Sequence, residues 1–120
     1  STWVNIPNNE KKFALNKLKP FKTIIYPVHE NIVSDLILGP DNTLGIRIPD
    51  HPFCKSLSEE CKVPITTTSV NRSGEIPKIN VGEILDSFQN RIDLIIEDGE
   101  LSGSASSIYF YQSKTMKKIR

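Results

Sequence analysis

The sequence predicts an α/β domain built on a mixed, twisted sheet. Three observations carry that expectation. Runs rich in aromatic and β-branched residues, such as 21–26 and 107–111, read as strands. Capping residues at Asn8-Asn9, Asp50 and Asn80 stand before amphipathic stretches. The two kinds of segment alternate through the middle of the chain, in the order helix, strand, strand, helix, strand, helix, strand, strand.

Taken in order, Asn8 or Asn9 caps a first helix with apolar Phe13, Ala14 and Leu18, and Pro20 ends it. Residues 21–26 form a strand. Residues 27–42 read as a loop, with one short ordered piece around Ser34-Asp35-Leu36-Ile37-Leu38 and a turn at Gly39-Pro40-Asp41-Asn42. Residues 44–48 make the second strand. Asp50 caps the next helix and Pro52 takes its first turn, where a missing N–H matters least. Phe53, Leu57 and Cys61 fall on one face of it. Residues 63–67 are the third strand. Asn80 with Glu83 forms a capping box for a third helix that carries Ile84, Leu85 and Phe88 inward. Residues 92–96 are the fourth strand, Asp98-Gly99 turns the chain, and 107–111 is the fifth.

A length of 120 residues suits one domain with a core that needs no disulfide staples. Fifteen basic and 14 acidic residues leave a formal charge of +1, which argues against a strongly electrostatic nucleic-acid binder. The basic cluster Lys114, Lys117, Lys118 and Arg120 reads as a solvated end. No run reaches membrane-spanning length and the first residues lack a signal-peptide core, so a cytoplasmic protein is expected. Cys54 and Cys61 stand two helical turns apart, too far for a disulfide within one helix. That fits a reduced compartment. No second pair of ligands stands at zinc-like spacing.

The segment with most chemical content is Thr66-Thr67-Thr68-Ser69-Val70-Asn71-Arg72-Ser73-Gly74. Small hydroxyls and an amide contact a ligand without bulk, and Gly74 accepts backbone shapes that other residues resist. Nucleotide phosphates are often cradled by such turns at strand ends. Ser, Asn and Gly are also ordinary turn formers, and on composition alone a plain surface turn is the preferred reading.

One strand and one helix upstream stands Thr43-Leu44-Gly45-Ile46-Arg47-Ile48-Pro49-Asp50-His51-Pro52. Together with Thr68-Ser69-Val70-Asn71-Arg72-Ser73-Gly74, it resembles the YrdC-like family of threonylcarbamoyl-AMP synthases. That family pairs an arginine strand and a Pro-Asp-His-Pro-like helix start with a Thr-Ser-Ala-Asn-x-Ser-Gly turn. Ile92-Asp93-Leu94-Ile95 and Ser106-Ser107-Ile108 resemble its later strand and its Ser-Thr-Val element. The likeness runs from about Leu18 to Arg120. Departures are visible too. Leu18-Lys19-Pro20-Phe21-Lys22-Thr23 stands where the family has Trp-Pro-Gly-Pro-x-Thr, Val70 replaces an alanine, and Ser107 replaces a threonine. The family's N-terminal Lys-x-Arg set finds no match. The chain thus looks like the C-terminal two-thirds of a YrdC-like domain, residues 1–120 forming one partial domain whose N-terminal part is missing.

The resemblance implies condensation of L-threonine, bicarbonate and ATP into threonylcarbamoyl-AMP, for threonylcarbamoyladenosine modification of tRNA. Magnesium would accompany ATP, with no protein ligand identified. By the same resemblance Arg47, Thr67 and Ser107 line a threonine pocket, while Thr43, Ser69, Asn71 and Arg120 contact ATP. Ser73 and Gly74 shape the loop. Each also has a plainer reading: Arg47 as a surface ion-pair partner, Thr43 as a turn residue, Ser107 as an exposed strand serine, Arg120 as a frayed end. His51 is expected to help the helix start and do no chemistry. Asp93, Glu97, Asp98 and Glu100 suit magnesium on paper, but a solvated acidic turn is the better reading. The alternative to a synthase is a YrdC-like module that binds nucleotide or RNA, tRNA or double-stranded RNA included, without catalysis.

Overall fold

The structure is a computed structural model, and it describes residues 2–99 and 105–120. Its elements run α1 (Asn8–Asn16), β1 (Lys22–Pro27), two short 3-10 turns (Asp35–Ile37 and Pro40–Asn42), β2 (Thr43–Arg47), α2 (Pro52–Cys61), α3 (Val81–Phe88), β3 (Ser107–Gln112) and β4 (Thr115–Lys118). The chain divides into two compact units, Ser1–Val63 with Ala105–Arg120, and Pro64–Ser104.

The first unit holds a four-stranded mixed sheet in the order β2-β1-β3-β4. β1 pairs antiparallel with β2 and parallel with β3, and β3 pairs antiparallel with β4. Successive strand residues face opposite sides, so the pairings sort the side chains into two faces. One face carries Ile24 and Tyr26, which pack with Ala14 of α1, Val4, Ile6 and Tyr111 into the core. Tyr26 donates its hydroxyl to the Ala14 carbonyl at 2.7 Å, and Tyr111 donates to the buried Glu10 carboxylate of α1. These two phenols pin α1 to the sheet.

Several expectations need correction. α1 begins after Pro7, with no side-chain cap, and ends at Asn16 before Pro20 is reached. The N-cap position of α2 is His51 and not Asp50, with no side-chain cap bond, and Lys62 closes the helix in the left-handed region. No residue of α2 or α3 is buried, so Phe53, Leu57 and Leu85 stay substantially exposed.

Residues 63–67 and 92–96 are not strands. Among the described residues of the second unit no strand is formed, and a β-prone run without a partner ladder has nothing to pair with. Pro64 further removes one N–H from the first run. Conversely, residues 115–118, read as a charged tail, form edge strand β4, where lysines are well tolerated. The capping box holds: the Asn80 side chain accepts from the Glu83 N–H at 3.0 Å, and the Glu83 carboxylate accepts from the Ile79 N–H at 3.2 Å.

Candidate functional site

In the first unit, Arg47 ends β2 and pairs in register with Thr23 on β1. Directly opposed residues share a face, so Arg47, Thr23 and Gly45 stand on the face away from α1. Gly45 keeps that face low: a Cβ there would meet Thr23 Cγ2 at 3.4 Å. Thr23 Oγ1 in turn lies 2.7 Å from Ser106 Oγ, just ahead of β3. Arg47 is exposed, and among the described residues no carboxylate pairs with it. Its guanidinium is therefore available to an incoming anion, in a planar fork that suits a carboxylate.

The register separates the two serines. Ser107 pairs with Lys22 and so shares the α1 face with Lys22 and Tyr109, whereas Ser106 is the serine joined to Thr23. Arg120 is not frayed. Its backbone exchanges hydrogen bonds with Ile108, its N–H to that carbonyl at 3.3 Å and its carbonyl from that N–H at 2.8 Å. Its guanidinium donates to the Ser106 carbonyl at 3.4 Å. A second arginine thus stands beside the serine that contacts Thr23. Thr43 is buried and donates its hydroxyl to the Pro40 carbonyl at 2.8 Å, which closes the turn ahead of β2.

In the second unit the 66–74 segment forms irregular turns. The Asn71 N–H donates to the Ser69 carbonyl at 3.1 Å, and the Asn71 amide donates to the Arg72 carbonyl at 2.8 Å. The Asn71 Oδ1 atom is buried and, among the described residues, has no hydrogen-bond partner. A buried amide oxygen left bare is unfavourable, so this acceptor suits a donor brought by a ligand. The Lys78 N–H donates to the Val70 carbonyl at 2.8 Å and fastens the segment from below. Thr67, Ser69 and Ser73 are exposed. Gly74 has φ +84°, a left-handed shape where a side chain is strained.

Asp93, Glu97 and Asp98 are exposed, and Glu100 lies outside the described residues. Among the described residues no group of three or more His, Cys, Asp or Glu could hold a metal ion. Cys54 and Cys61 are exposed and free. Among the described residues no helix is long and apolar enough to cross a membrane. The residues that motif reading left without a role are Thr23 and Ser106. The signal for them was in the sequence: with Tyr109 and Tyr111 facing the core, strand alternation turns Ser107 the same way and Ser106 the other.

Comparison with known proteins converges on one family. The family model Sua5/YciO/YrdC, described as Telomere recombination, matches residues 2–120. A threonylcarbamoyl-AMP synthase of Hydrogenovibrio crunogenus is 31% identical over 98 residues, which are 82% of this chain and 50% of that protein. The chain therefore spans about half the length of this curated relative. The crystal structure of YciO from E. coli matches with a TM-score of 0.81 at 23% identity, over 99% of this chain and 58% of that one. That of P. abyssi Sua5 complexed with L-threonine matches with a TM-score of 0.83 at 24% identity, over 100% of this chain and 36% of that one. These likenesses establish the mixed α/β fold.

Proposed function

The chain belongs to the Sua5/YciO/YrdC family, and from that premise we propose that it carries the threonine- and adenylate-binding residues of a threonylcarbamoyl-AMP synthase. The observation that carries this reading is the set on one sheet face of the first unit: an exposed arginine, Arg47, in register with Thr23, whose hydroxyl meets Ser106. An α-amino acid presents a carboxylate and an ammonium. Arg47 suits the first through a bidentate, charge-assisted pair. The linked hydroxyls of Thr23 and Ser106 keep acceptor lone pairs for the second.

In the second unit, Ser69 and the bare Oδ1 of Asn71 suit the hydroxyl and amino donors of an adenylate, with Thr67 beside them in sequence. Ser73 and Gly74 set the shape of that segment. Arg120 adds positive charge near Ser106. In the reaction, the threonine nitrogen bonds to the bicarbonate carbon, a C–O bond of the bicarbonate breaks, and water leaves to give a carbamate. A carbamate oxygen bonds to the α-phosphorus of ATP, the bond from that phosphorus to the bridging oxygen breaks, and pyrophosphate departs. No protein nucleophile is required, so positioning and charge stabilisation dominate. Magnesium enters as the companion of the ATP phosphates, with no ligand assigned in this chain. The product serves threonylcarbamoylation of tRNA, in the cytoplasm.

Calorimetric titration of the chain with L-threonine tests the reading. Saturable binding that Arg47→Ala abolishes supports it. Absence of binding, or binding indifferent to Arg47, overturns it.

A further inference from the structure

The face of the sheet turned toward α1 carries a cavity of about 310 Å3, lined by Phe13, Lys17, Lys22, Ile24, Tyr109, Lys114, Thr115 and Met116. All of these belong to the first unit. The register sets the cavity on the opposite face from Arg47 and Thr23, because Lys22 and Ile24 alternate with Thr23 along β1.

Among the described residues, three lysines and no carboxylate line it. Glu10, the acidic residue of α1, is buried against Tyr111 and is not part of the lining. Two of the ammonium groups are held against rings: Lys17 Nζ lies 5.0 Å from the Phe13 ring centre, and Lys22 Nζ lies 5.4 Å from that of Tyr109. Cation–π contact fixes such long side chains at little expense. Gathering like charges around one cavity is unfavourable in the free protein, and an anion relieves it. Ile24 and Met116 give the cavity an apolar floor, and Ile24 is buried. Its volume falls at the lower end of the roughly 300–1,000 Å3 of small-ligand pockets.

We propose that this cavity binds a small anion with a flat apolar body, a phosphate ester of an aromatic group. The ring of the ligand lies on Ile24, Met116 and the edges of Phe13 and Tyr109. The phosphate is met by Lys17, Lys22 and Lys114. This site rests on no part of the synthase reading.

Met116 is the chain's one methionine, so its methyl group is a single NMR reporter inside the cavity. Titration with phenyl phosphate should shift that signal saturably. Phenol or inorganic phosphate should bind at least tenfold more weakly, since each offers half of the complementarity. Lys17→Gln combined with Lys22→Gln should weaken phenyl phosphate at least tenfold, and Arg47→Ala should leave it unchanged. Raising salt from about 0.05 M to about 0.5 M should weaken binding to the unaltered chain severalfold by screening. That measurement stands even where the double variant fails to fold. No saturable shift, equal affinity for phenol, salt-independent binding, or loss of binding in Arg47→Ala overturns the proposal.

Discussion

Thr23 Oγ1 and Ser106 Oγ lie 2.7 Å apart, although 83 residues separate them in the chain. The contact ties the first residues of β1 to the approach of β3, beside the register position of Arg47. In the synthase reading this pair helps hold the substrate amino acid, and Ser107, on the other face, does not touch it. Ser106→Ala should therefore weaken L-threonine binding by about 0.5–1.5 kcal/mol, the range of one ordinary hydrogen bond. Ser107→Ala should leave it within error. Calorimetry on both variants decides, and an equal loss would mean that the register does not govern recognition.

The bare Oδ1 of Asn71 leads to a second outcome. Asn71→Ala removes the acceptor, and Ser69→Ala removes a hydroxyl two residues away. Together they should weaken ATP binding by about fivefold to over a hundredfold, at roughly 0.5–1.5 kcal/mol per contact. The fold should be kept, because Ser69 holds the Asn71 N–H through its carbonyl, and the Arg72 carbonyl that loses the Asn71 amide is exposed and turns to water. Unchanged ATP affinity with unchanged circular dichroism would reduce the segment to a structural turn.

Local chemistry made some elements legible in the sequence. The Asn80–Glu83 box and Pro52 at a helix start act within one turn of chain, and both appear as expected. Strands 22–27, 43–47 and 107–112 were legible because aromatic and β-branched side chains lie on a half-buried surface. Residues 63–67 and 92–96 have the same composition without a partner ladder, and pairing is not written in a single run. β4 was hidden by its lysines, which mark an edge strand as readily as a loose end. At the candidate site, the arginine and the Ser-Asn turn are what motif resemblance picks out. The choice between Ser106 and Ser107 depended on register, which a motif does not carry.

The buried phenols set the alkaline limit of the fold. Burial, and then the neighbouring Tyr111, pushes Tyr26 from 10.0 up to about 12. Burial and the hydrogen bond to Glu10 push Tyr111 up as well. The folded chain therefore keeps protons that the unfolded chain releases. Stability should be intact below about pH 10, the unfolded value, and fall as pH rises through that point toward the folded value of Tyr26. Urea denaturation at a series of alkaline pH values reads this directly. A midpoint that holds steady across that window would rule out the assignment.

The same pair gives an ordering of variants at neutral pH. Tyr26→Phe loses one hydrogen bond to the Ala14 carbonyl, which still accepts from the Lys17 N–H, so the loss should be about 1 kcal/mol. Tyr111→Phe leaves the buried Glu10 carboxylate without its phenolic donor, which should destabilise more, by about 1–3 kcal/mol. Urea midpoints in the reverse order would show that Glu10 does not depend on Tyr111.

The β3–β4 hairpin turns through Ser113 and Lys114 at φ 35° and 62°. Two consecutive positive φ values mark a type I′ turn, which favours Asn at its first central position. Ser113→Asn should stabilise the chain by a few tenths to about 1 kcal/mol, since Asn tolerates the left-handed region with less strain. The thermal midpoint checks it, and a decrease would mean that Ser113 contributes a contact that Asn cannot replace.

The last expectation concerns turnover by the 120-residue chain itself. Departure of pyrophosphate develops negative charge that cations must meet. Arg47 and Arg120 are two basic residues that stand near the Thr23–Ser106 pair in the first unit. The N-terminal lysine-arginine set that the resemblance leads one to expect around the triphosphate finds no match in residues 1–120. Loss of even one charge-stabilising donor lowers a rate by about a hundredfold or more. The chain should therefore bind L-threonine yet release pyrophosphate far more slowly than the roughly one per second or faster of ordinary enzymes. An assay with ATP, bicarbonate and L-threonine separates the cases. Slow release that needs threonine and falls further in Arg47→Ala fits a set of binding residues short of triphosphate-holding cations. Release at an ordinary enzymatic rate would show that Arg47 and Arg120 suffice, and that charge is not what limits this chain.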